Sequence, residues 1–165
     1  DPGADGLVFL PYLSGAGCPD MDPAAKGVFW GITLGHRRAH FTRAILESVA
    51  FVSRRNLEML ETLGADAAEV RALGGGARSD LWLQIKADML GKPVVAMKCE
   101  ESACLGVAML SCVANGIYGD LAEARESMVH IRRRIQPDTQ GCERYREIYL
   151  RYMRLHNQFR PLFHS

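Results

Sequence analysis

The segment from Val70 to Leu90 constrains the fold more than any other part of this sequence. A short apolar run ends at Leu73, the three glycines Gly74, Gly75 and Gly76 follow, and a helical pattern begins near Ser79 or Asp80. Glycine has no Cβ and tolerates positive φ, so the backbone can turn sharply here and approach a ligand closely. The start of the following helix presents free N–H groups and the positive end of its dipole, which suit an anion or a polar ring. The pattern is neither G-x-G-x-x-G nor a P-loop, so it predicts either a plain tight connection or a ligand-binding turn.

Length and composition describe an ordinary globular protein. The chain has 165 residues, of which 48% are hydrophobic and 24% are charged, enough for one domain with a proper core. A net charge of +1 gives no reason to expect a nucleic acid or a membrane as partner. No apolar run approaches the roughly 18 residues of a membrane helix, and the DPGADG start lacks the features of a signal peptide.

The cysteines indicate neither a disulfide framework nor a zinc site. They are odd in number and scattered, with none in a CxxC pair. We interpret them as reduced, mostly buried thiols of a cytoplasmic protein, with Cys104 and Cys112 as core fillers on one helical face. The chain begins at Asp1 without methionine. That start is typical of a piece of a longer protein and equally of a chain trimmed for expression.

The order of apolar segments predicts an α/β fold with a mixed sheet flanked by helices. Two strands before any helix predict an antiparallel pair, and the later alternation predicts right-handed crossovers between parallel strands. Beyond residue 120 only helices and a basic run are expected, so 121–165 is predicted as a helical extension. The predicted strands are 6–13, 27–33, 70–73 and 93–98, and the predicted helices are 39–63, 79–90, 102–114, 121–130 and 142–159.

Helical periodicity also assigns faces and caps. In the second helix Leu81, Trp82, Ile85 and Met89 are predicted to point inward, and Glu47 of the first helix toward solvent. Ser102 is predicted as an N-cap, Gly64 and Gly91 as helix stops, and the tyrosine-rich stripe 145–159 as a packed face rather than a stacking platform.

Other polar groups carry weaker functional signals. His36 and His40 are four residues apart, but a metal site needs a third ligand, so capping or surface histidines are favoured. The run 132–134 is all arginine, which suits phosphate or nucleic acid, although a solvated face is favoured in a neutral protein. Asp20 and Asp22 could orient a ligand or cap turns, and the sequence does not separate these roles.

Several motifs in collinear order resemble the FGGY family of carbohydrate kinases. Residues 27–32 (GVFWGI) and, seven residues later, 40–47 (HFTRAILE) match the family's second signature. The segments 10–15 (LPYLSG), 74–79 running into LWLQIKADMLGKPV, and 102–110 (SACLGVAML) are also similar, especially to xylulokinase-like members. One departure is Gly15-Ala16-Gly17, where relatives often carry Gly-Glu-Arg, and it weakens the assignment of a particular sugar.

The resemblance implies a fold and a place within it. The family has two lobes of the actin and hexokinase (ribonuclease H-like) ATPase type. Residues 1–165 would be the C-terminal nucleotide-binding domain. The N-terminal lobe is absent from this chain, and the same protein would provide it as the partner of this domain. The resemblance further implies that Gly74, Gly75 and Gly76 offer backbone to the nucleotide, that Ser79 takes an adenine-contacting position, and that Gly106 allows close packing nearby.

The resemblance also implies a reaction. A full-length protein would transfer the γ-phosphoryl group of ATP, with Mg²⁺, to a hydroxyl of a small sugar or polyol, xylulose being the first expectation. No catalytic residue and no metal ligand is expected in this chain, because the family's aspartate base, phosphate loops and sugar contacts lie upstream of Asp1. Kinases for gluconate, ribulose, glycerol or another polyol are alternatives, as is a non-catalytic ATP-binding or assembly module. Homodimer formation is left open.

Overall fold

A computed structural model describes all 165 residues and confirms the alternation of elements. The strands are β1 (Val8–Leu10), β2 (Val28–Trp30), β3 (Val70–Ala72), β4 (Val94–Met97) and β5 (Ile131–Ile135). The helices are α1 (Arg38–Thr62), α2 (Asp80–Leu90), α3 (Ser102–Ala114), α4 (Leu121–Met128) and α5 (Thr139–Phe159). Short 3-10 helices occupy Ala4–Gly6, Gly75–Arg78 and Arg160–His164. None of the helices combines the length and the apolar content needed to span a bilayer.

The strands form two small sheets. β1 and β2 pair antiparallel, as predicted, and the stacked rings of Phe9 and Phe29 lie 4.2 Å apart between their centroids. β3 and β4 pair parallel, which confirms the crossover through α2. The third strand of that sheet, β5, pairs antiparallel with β4 and places Ile135 opposite Val94.

β5 is not among the predicted strands, and the segment 121–165, predicted as a helical extension, contains this strand between α4 and α5. The segment Ile131–Ile135 carries three consecutive arginines between two isoleucines, and all but Ile135 are exposed. An edge strand with a charged outer surface lacks the apolar run that identifies a buried strand. Its assignment depends on the pairing with β4, which is remote in sequence.

The largest core lies between β1, α1, α2 and α5. The rings of Phe51 in α1 and Tyr152 in α5 stack with centroids 4.6 Å apart, and both side chains are fully buried. Tyr145, Tyr149 and Leu155 continue the buried stripe of α5. The predicted packed face of the last helix is therefore confirmed, and the tyrosines are structural.

Several predicted faces and caps differ from the structure. Leu81 is 53% exposed, because Leu83 takes the inward position in α2. Ser102 is the first residue of α3, and its cap residue, Glu101, makes no side-chain capping bond. Cys104 is exposed rather than a core filler, and the other thiols are exposed or only partly buried. Gly64 and Gly91 do follow helix ends with positive φ, as predicted.

Glu47 is the largest departure from the predicted pattern, since it is 1% exposed although the helical periodicity predicts it on the solvent side of α1. One carboxylate oxygen, Oε1, accepts hydrogen bonds from Gly3 N at 2.9 Å, Arg43 Nε at 2.8 Å and the Tyr145 hydroxyl at 2.9 Å. Through these three hydrogen bonds, Oε1 of Glu47 links the N-terminal segment, α1 and α5. A buried carboxylate needs such partners, because an unpaired buried charge is strongly unfavourable.

Replacement of this carboxylate should therefore cost more stability than loss of a surface ion pair on the same helix. We expect Glu47→Ala to lower the free energy of unfolding by about 3 kcal/mol or more, since Arg43 loses its buried partner. Glu61→Ala, which removes a half-exposed pair with Lys92, should cost less than about 1 kcal/mol. Urea unfolding of both variants measures the difference, and equal losses would contradict the assigned role of Glu47.

Candidate functional site

The glycine turn begins where β3 ends. Gly74 has φ 71° and ψ −168°, a combination that is essentially restricted to glycine. Its carbonyl then accepts a hydrogen bond from Ala77 N at 3.0 Å, and Gly75–Arg78 form one 3-10 turn. The chain thus reverses sharply between the sheet and α2, as the triple glycine predicts.

The three glycines have different surroundings. A Cβ added at Gly74 or Gly75 would meet no atom within 4 Å, so both face open space. A Cβ at Gly76 would lie 2.7 Å from Cζ3 of the Trp82 ring. Gly74 is therefore required by backbone conformation and Gly76 by packing. Neither reason applies to Gly75, whose open surface is free for a ligand.

Ser79 connects the turn to α2. Its Oγ accepts a hydrogen bond from Trp82 N at 3.3 Å and so caps the helix. Trp82 in turn donates from Nε1 to the carbonyl oxygen of Leu46 in α1 at 3.0 Å. The N-terminus of α2, with the free N–H groups predicted from the sequence, is thereby held against the core.

The connections after β3 and β4 lie side by side, because parallel neighbouring strands end at the same edge of a sheet. An ion pair confirms the contact: Arg78 Nε lies 2.9 Å from Oε1 of Glu100. Gly106 lies on α3, the helix that follows the second connection, and a Cβ there would also meet nothing within 4 Å. In open α/β sheets, ligands bind in the crevice outside the carboxyl ends of the strands. Gly74–Ser79 are consecutive in the chain, with Ala77 buried among them, and Gly106 lies on the helix that follows the neighbouring connection.

Charged groups surround the turn. The hydrogen bond from Arg78 lowers the pKa of Glu100, and the same bond raises the pKa of the guanidinium. Arg133 pairs with Asp80 at the start of α2, and Arg132 donates to the carbonyl oxygen of Ala77. Sequence reasoning missed the contact of Arg132, since nothing local predicts that β5 lies beside the turn.

The remaining sequence candidates have structural partners. His40 Nδ1 accepts a hydrogen bond from Arg37 N at 2.9 Å, and His36 Nδ1 from Thr33 N at 2.8 Å, which confirms the capping interpretation. Asp20 accepts from Arg55 Nη2 at 2.7 Å. The other loop carboxylate, Asp22, accepts from Ala24 N at 3.0 Å and caps a turn. These groups stabilise the fold.

Comparison with known proteins gives the class to which this arrangement belongs. Residues 1–115 match the family model described as the C-terminal domain of the FGGY family of carbohydrate kinases. The chain therefore belongs to the FGGY family of carbohydrate kinases.

Individual relatives agree with the family. The chain is 31% identical over 160 residues to a xylulose kinase of Bacillus subtilis, covering 97% of this chain and 32% of that protein. It is 39% identical over 149 residues to a glycerol kinase of Citrifermentans bemidjiense, covering 90% of this chain and 30% of the relative. The structure of a xylulose kinase from Rhodospirillum rubrum matches with a TM-score of 0.86 at 33% identity, over 100% of this chain and 33% of that one.

These likenesses confirm the predicted fold class, a lobe of the actin- and hexokinase-like (ribonuclease H-like) ATPase type with a mixed sheet flanked by helices. The chain spans about a third of the length of the relatives it matches. Nucleotide contacts by Gly74, Gly75, Gly76, Ser79 and Gly106 stay predictions, since none of these comparisons tests single residues.

The backbone of the turn gives a direct test of its geometry. We expect Gly74→Ala to destabilise the protein by about 1–3 kcal/mol, because alanine must adopt a conformation that only glycine tolerates. Gly75→Ala should stay within about 0.5 kcal/mol of the unmodified protein, since its Cβ meets no atom. Thermal or urea unfolding measures both. A harmless Gly74→Ala would show that the turn tolerates another conformation.

Proposed function

We propose that this chain is the nucleotide-binding part of an ATP-dependent sugar kinase. The observation that carries the proposal is the glycine turn of Gly74–Arg78, open at Gly75 and followed by the capped N-terminus of α2. Backbone without side chains, free N–H groups and a helix dipole suit a nucleotide that carries negative charge. Membership of a carbohydrate kinase family supplies the reaction type.

In the proposed complex the turn holds the nucleoside end of ATP. Gly75 would present its backbone to the ribose and phosphates beside Gly74 and Gly76, and Ser79 would contact the adenine through its hydroxyl. Gly106 would keep the neighbouring helix clear of the nucleotide, in line with the open space around it. A Ser79 hydroxyl already accepting from Trp82 N retains its own proton for donation to a ring nitrogen.

The chemical step is proposed to depend on the rest of a longer protein. Phosphoryl transfer needs a base to receive the proton of the sugar hydroxyl, and Mg²⁺ to neutralise charge on the phosphates. The chain contains no group of three or more Asp, Glu, His or Cys side chains that could hold a metal ion, and Mg²⁺ in kinases is held by one or two carboxylates together with the nucleotide phosphates. We assign the base, the metal ligands and the sugar contacts to the N-terminal lobe. By itself this chain would be an inactive part of a cytoplasmic enzyme.

Xylulose is the proposed substrate of the longer protein. The likenesses to xylulose kinases support it, since they extend over 97% of the chain in sequence and 100% in structure. Glycerol is the second candidate, because a glycerol kinase is more identical, at 39%, over a somewhat smaller part of the chain. Gluconate and ribulose complete the set of alternatives.

The site assignment predicts a separation of binding from folding. In the full-length protein Gly75→Val should weaken ATP affinity by more than about tenfold, a loss of about 1.4 kcal/mol, because the side chain occupies the space of the nucleotide. The fold should persist, since a Cβ at Gly75 meets nothing. Gly76→Val does not separate binding from folding, because it drives a side chain into the Trp82 ring.

Calorimetric titration with ATP measures the affinity. Gly35→Val is the matched control, because Gly35 lies in the loop before α1 with no positive φ and only Thr33 Oγ1 within reach of a Cβ, at 3.7 Å. Unchanged ATP affinity in a folded Gly75→Val protein would refute the assignment of the turn.

The substrate proposal requires a separate assay. We expect the full-length enzyme to release ADP fastest with xylulose when xylulose, ribulose, gluconate and glycerol are compared at equal concentration, because its sugar site should be of the xylulose kinase type. A faster release of ADP with glycerol would identify glycerol, the second candidate, as the substrate. ATP binding without ADP release on any polyol would favour the non-catalytic module.

A further inference from the structure

The three arginines of the edge strand β5 differ in their partners. Arg133 pairs with the first residue of α2, and Arg134 Nη1 lies 2.6 Å from Oε2 of Glu69. Arg132 makes no ion pair, and its guanidinium donates instead to the carbonyl oxygen of Ala77 inside the glycine turn. Arg132 is therefore the member of this run whose only polar partner is the backbone of the turn.

An irregularity in β5 aims this side chain. Along β4, Ala96 pairs with Arg133. The next residue, Met97, pairs with Ile131, so Arg132 between them has no partner in the ladder. An extra residue of this kind is a β-bulge, which bends the strand and re-aims side chains. Neighbouring residues of a regular strand point to opposite faces, and the bulge accounts for two consecutive arginines that both reach the segment between β3 and α2.

The acceptor of this hydrogen bond is a buried residue of the turn. Ala77 is 3% exposed, and no backbone N–H donates to its carbonyl oxygen. A buried carbonyl without a donor is unfavourable, so Arg132 supplies a bond that the turn itself does not provide. The N–H of Ala77 donates to the carbonyl oxygen of Gly74 at 3.0 Å. Both backbone polar groups of Ala77 are thus held, one within the turn and one from β5.

The turn depends on such an anchor because three consecutive glycines do not order themselves. Glycine loses more conformational freedom on folding than any other residue. No atom lies within 4 Å of a Cβ position at Gly75, so the surroundings of that residue do not restrict it. Its conformation is held from its two ends. These are β3 on one side and, on the other, Gly76 against the Trp82 ring together with Ala77.

We propose that Arg132 is a positioning residue of the nucleotide site, which holds the carbonyl of Ala77 and so keeps the glycine turn in the conformation that receives ATP. It acts through the turn and not through contact with the nucleotide. The inference rests on the proposed nucleotide-binding role of the turn. A turn already in its binding conformation has less freedom to lose when ATP binds, so the affinity is higher.

A first measurement concerns the turn without nucleotide. In nucleotide-free, full-length kinase, Arg132→Met removes the donor and keeps an unbranched side chain. Amide hydrogen exchange in the segment 74–79 should become at least about threefold faster, since loss of one hydrogen bond makes local opening more frequent. Exchange in α5 should not change. Exchange in 74–79 that matches the unmodified protein would overturn the proposal.

A second measurement concerns ATP. In Arg132→Met, the Kd for ATP from calorimetry and the KM for ATP should rise about threefold to tenfold, because a smaller fraction of the protein holds the turn ready. The kcat and the KM for the sugar should stay within about twofold, since only nucleotide binding is affected. A purely structural role would lower the active fraction, and hence kcat, without raising the KM for ATP. That result would overturn the proposal.

Two further variants separate the contact from the charge. Arg132→Lys keeps a positively charged donor, so the Kd for ATP should return to within about twofold of that of the unmodified protein. Arg134→Met is the matched control, because Arg134 lies on the same strand, is also exposed and loses the same charge, while its partner is Glu69. Its Kd should stay within about twofold. A lysine variant as weak as Arg132→Met, or an equal loss in Arg134→Met, would contradict the assigned contact.

Gly75→Val distinguishes failure of this inference from failure of the proposed function. If Gly75→Val weakens ATP binding and Arg132→Met does not, the turn binds the nucleotide and Arg132 does not position it. If neither variant weakens ATP binding, the nucleotide role of the turn is refuted, and this inference with it. We expect both variants to weaken it, Gly75→Val more than Arg132→Met.

Discussion

One buried carboxylate, that of Glu47, ties together the N-terminal segment and the two longest helices, α1 and α5. Three donors from separate parts of the sequence converge on its Oε1, and each would lose a buried partner without it. The N-terminal segment and α5 are thereby fixed on α1 in one register. α2 packs between α1 and α5 and is tied to α1 through the indole of Trp82. The position of the glycine turn is thus set by contacts well outside it.

The triple glycine contains three different constraints that look alike in sequence. Gly74 supplies a backbone conformation, Gly76 avoids the face of an indole ring, and Gly75 leaves a gap. Only Gly75 lacks a structural reason to be glycine. The proposed nucleotide contact therefore falls on the position that packing and backbone conformation constrain least, which a motif alone does not identify.

The sequence predicted the fold where one segment's own periodicity decides its structure. α1, α2 and α5 have apolar stripes of helical period, and the β3–glycine–α2 unit has both turn and helix signals. The resemblance to a kinase family adds what periodicity does not, namely the ATPase type of the lobe and the expectation that the turn binds a nucleotide. It was carried by collinear motifs, and the family match extends to residue 115.

What the sequence did not predict depends on contacts between distant residues. Glu47 was placed in solvent because its donors, Gly3 and Tyr145, lie far from it in the chain. β5 was missed because an arginine-rich edge strand is defined by its partner, and with it the contact of Arg132 with Ala77 was missed. Leu81 and Leu83 are two residues apart, and only packing against neighbouring elements decides which one is buried.

β5 has a consequence for how proteins of this kind are divided into modules. The strand lies after residue 115, outside the matched family region, yet it forms one side of the sheet that carries the turn. A boundary drawn at the end of the family match would cut through that sheet and separate Arg132 from the carbonyl of Ala77. The sheet that carries the turn therefore extends past the end of the family match, and a chain cut at residue 115 would lack one of its three strands.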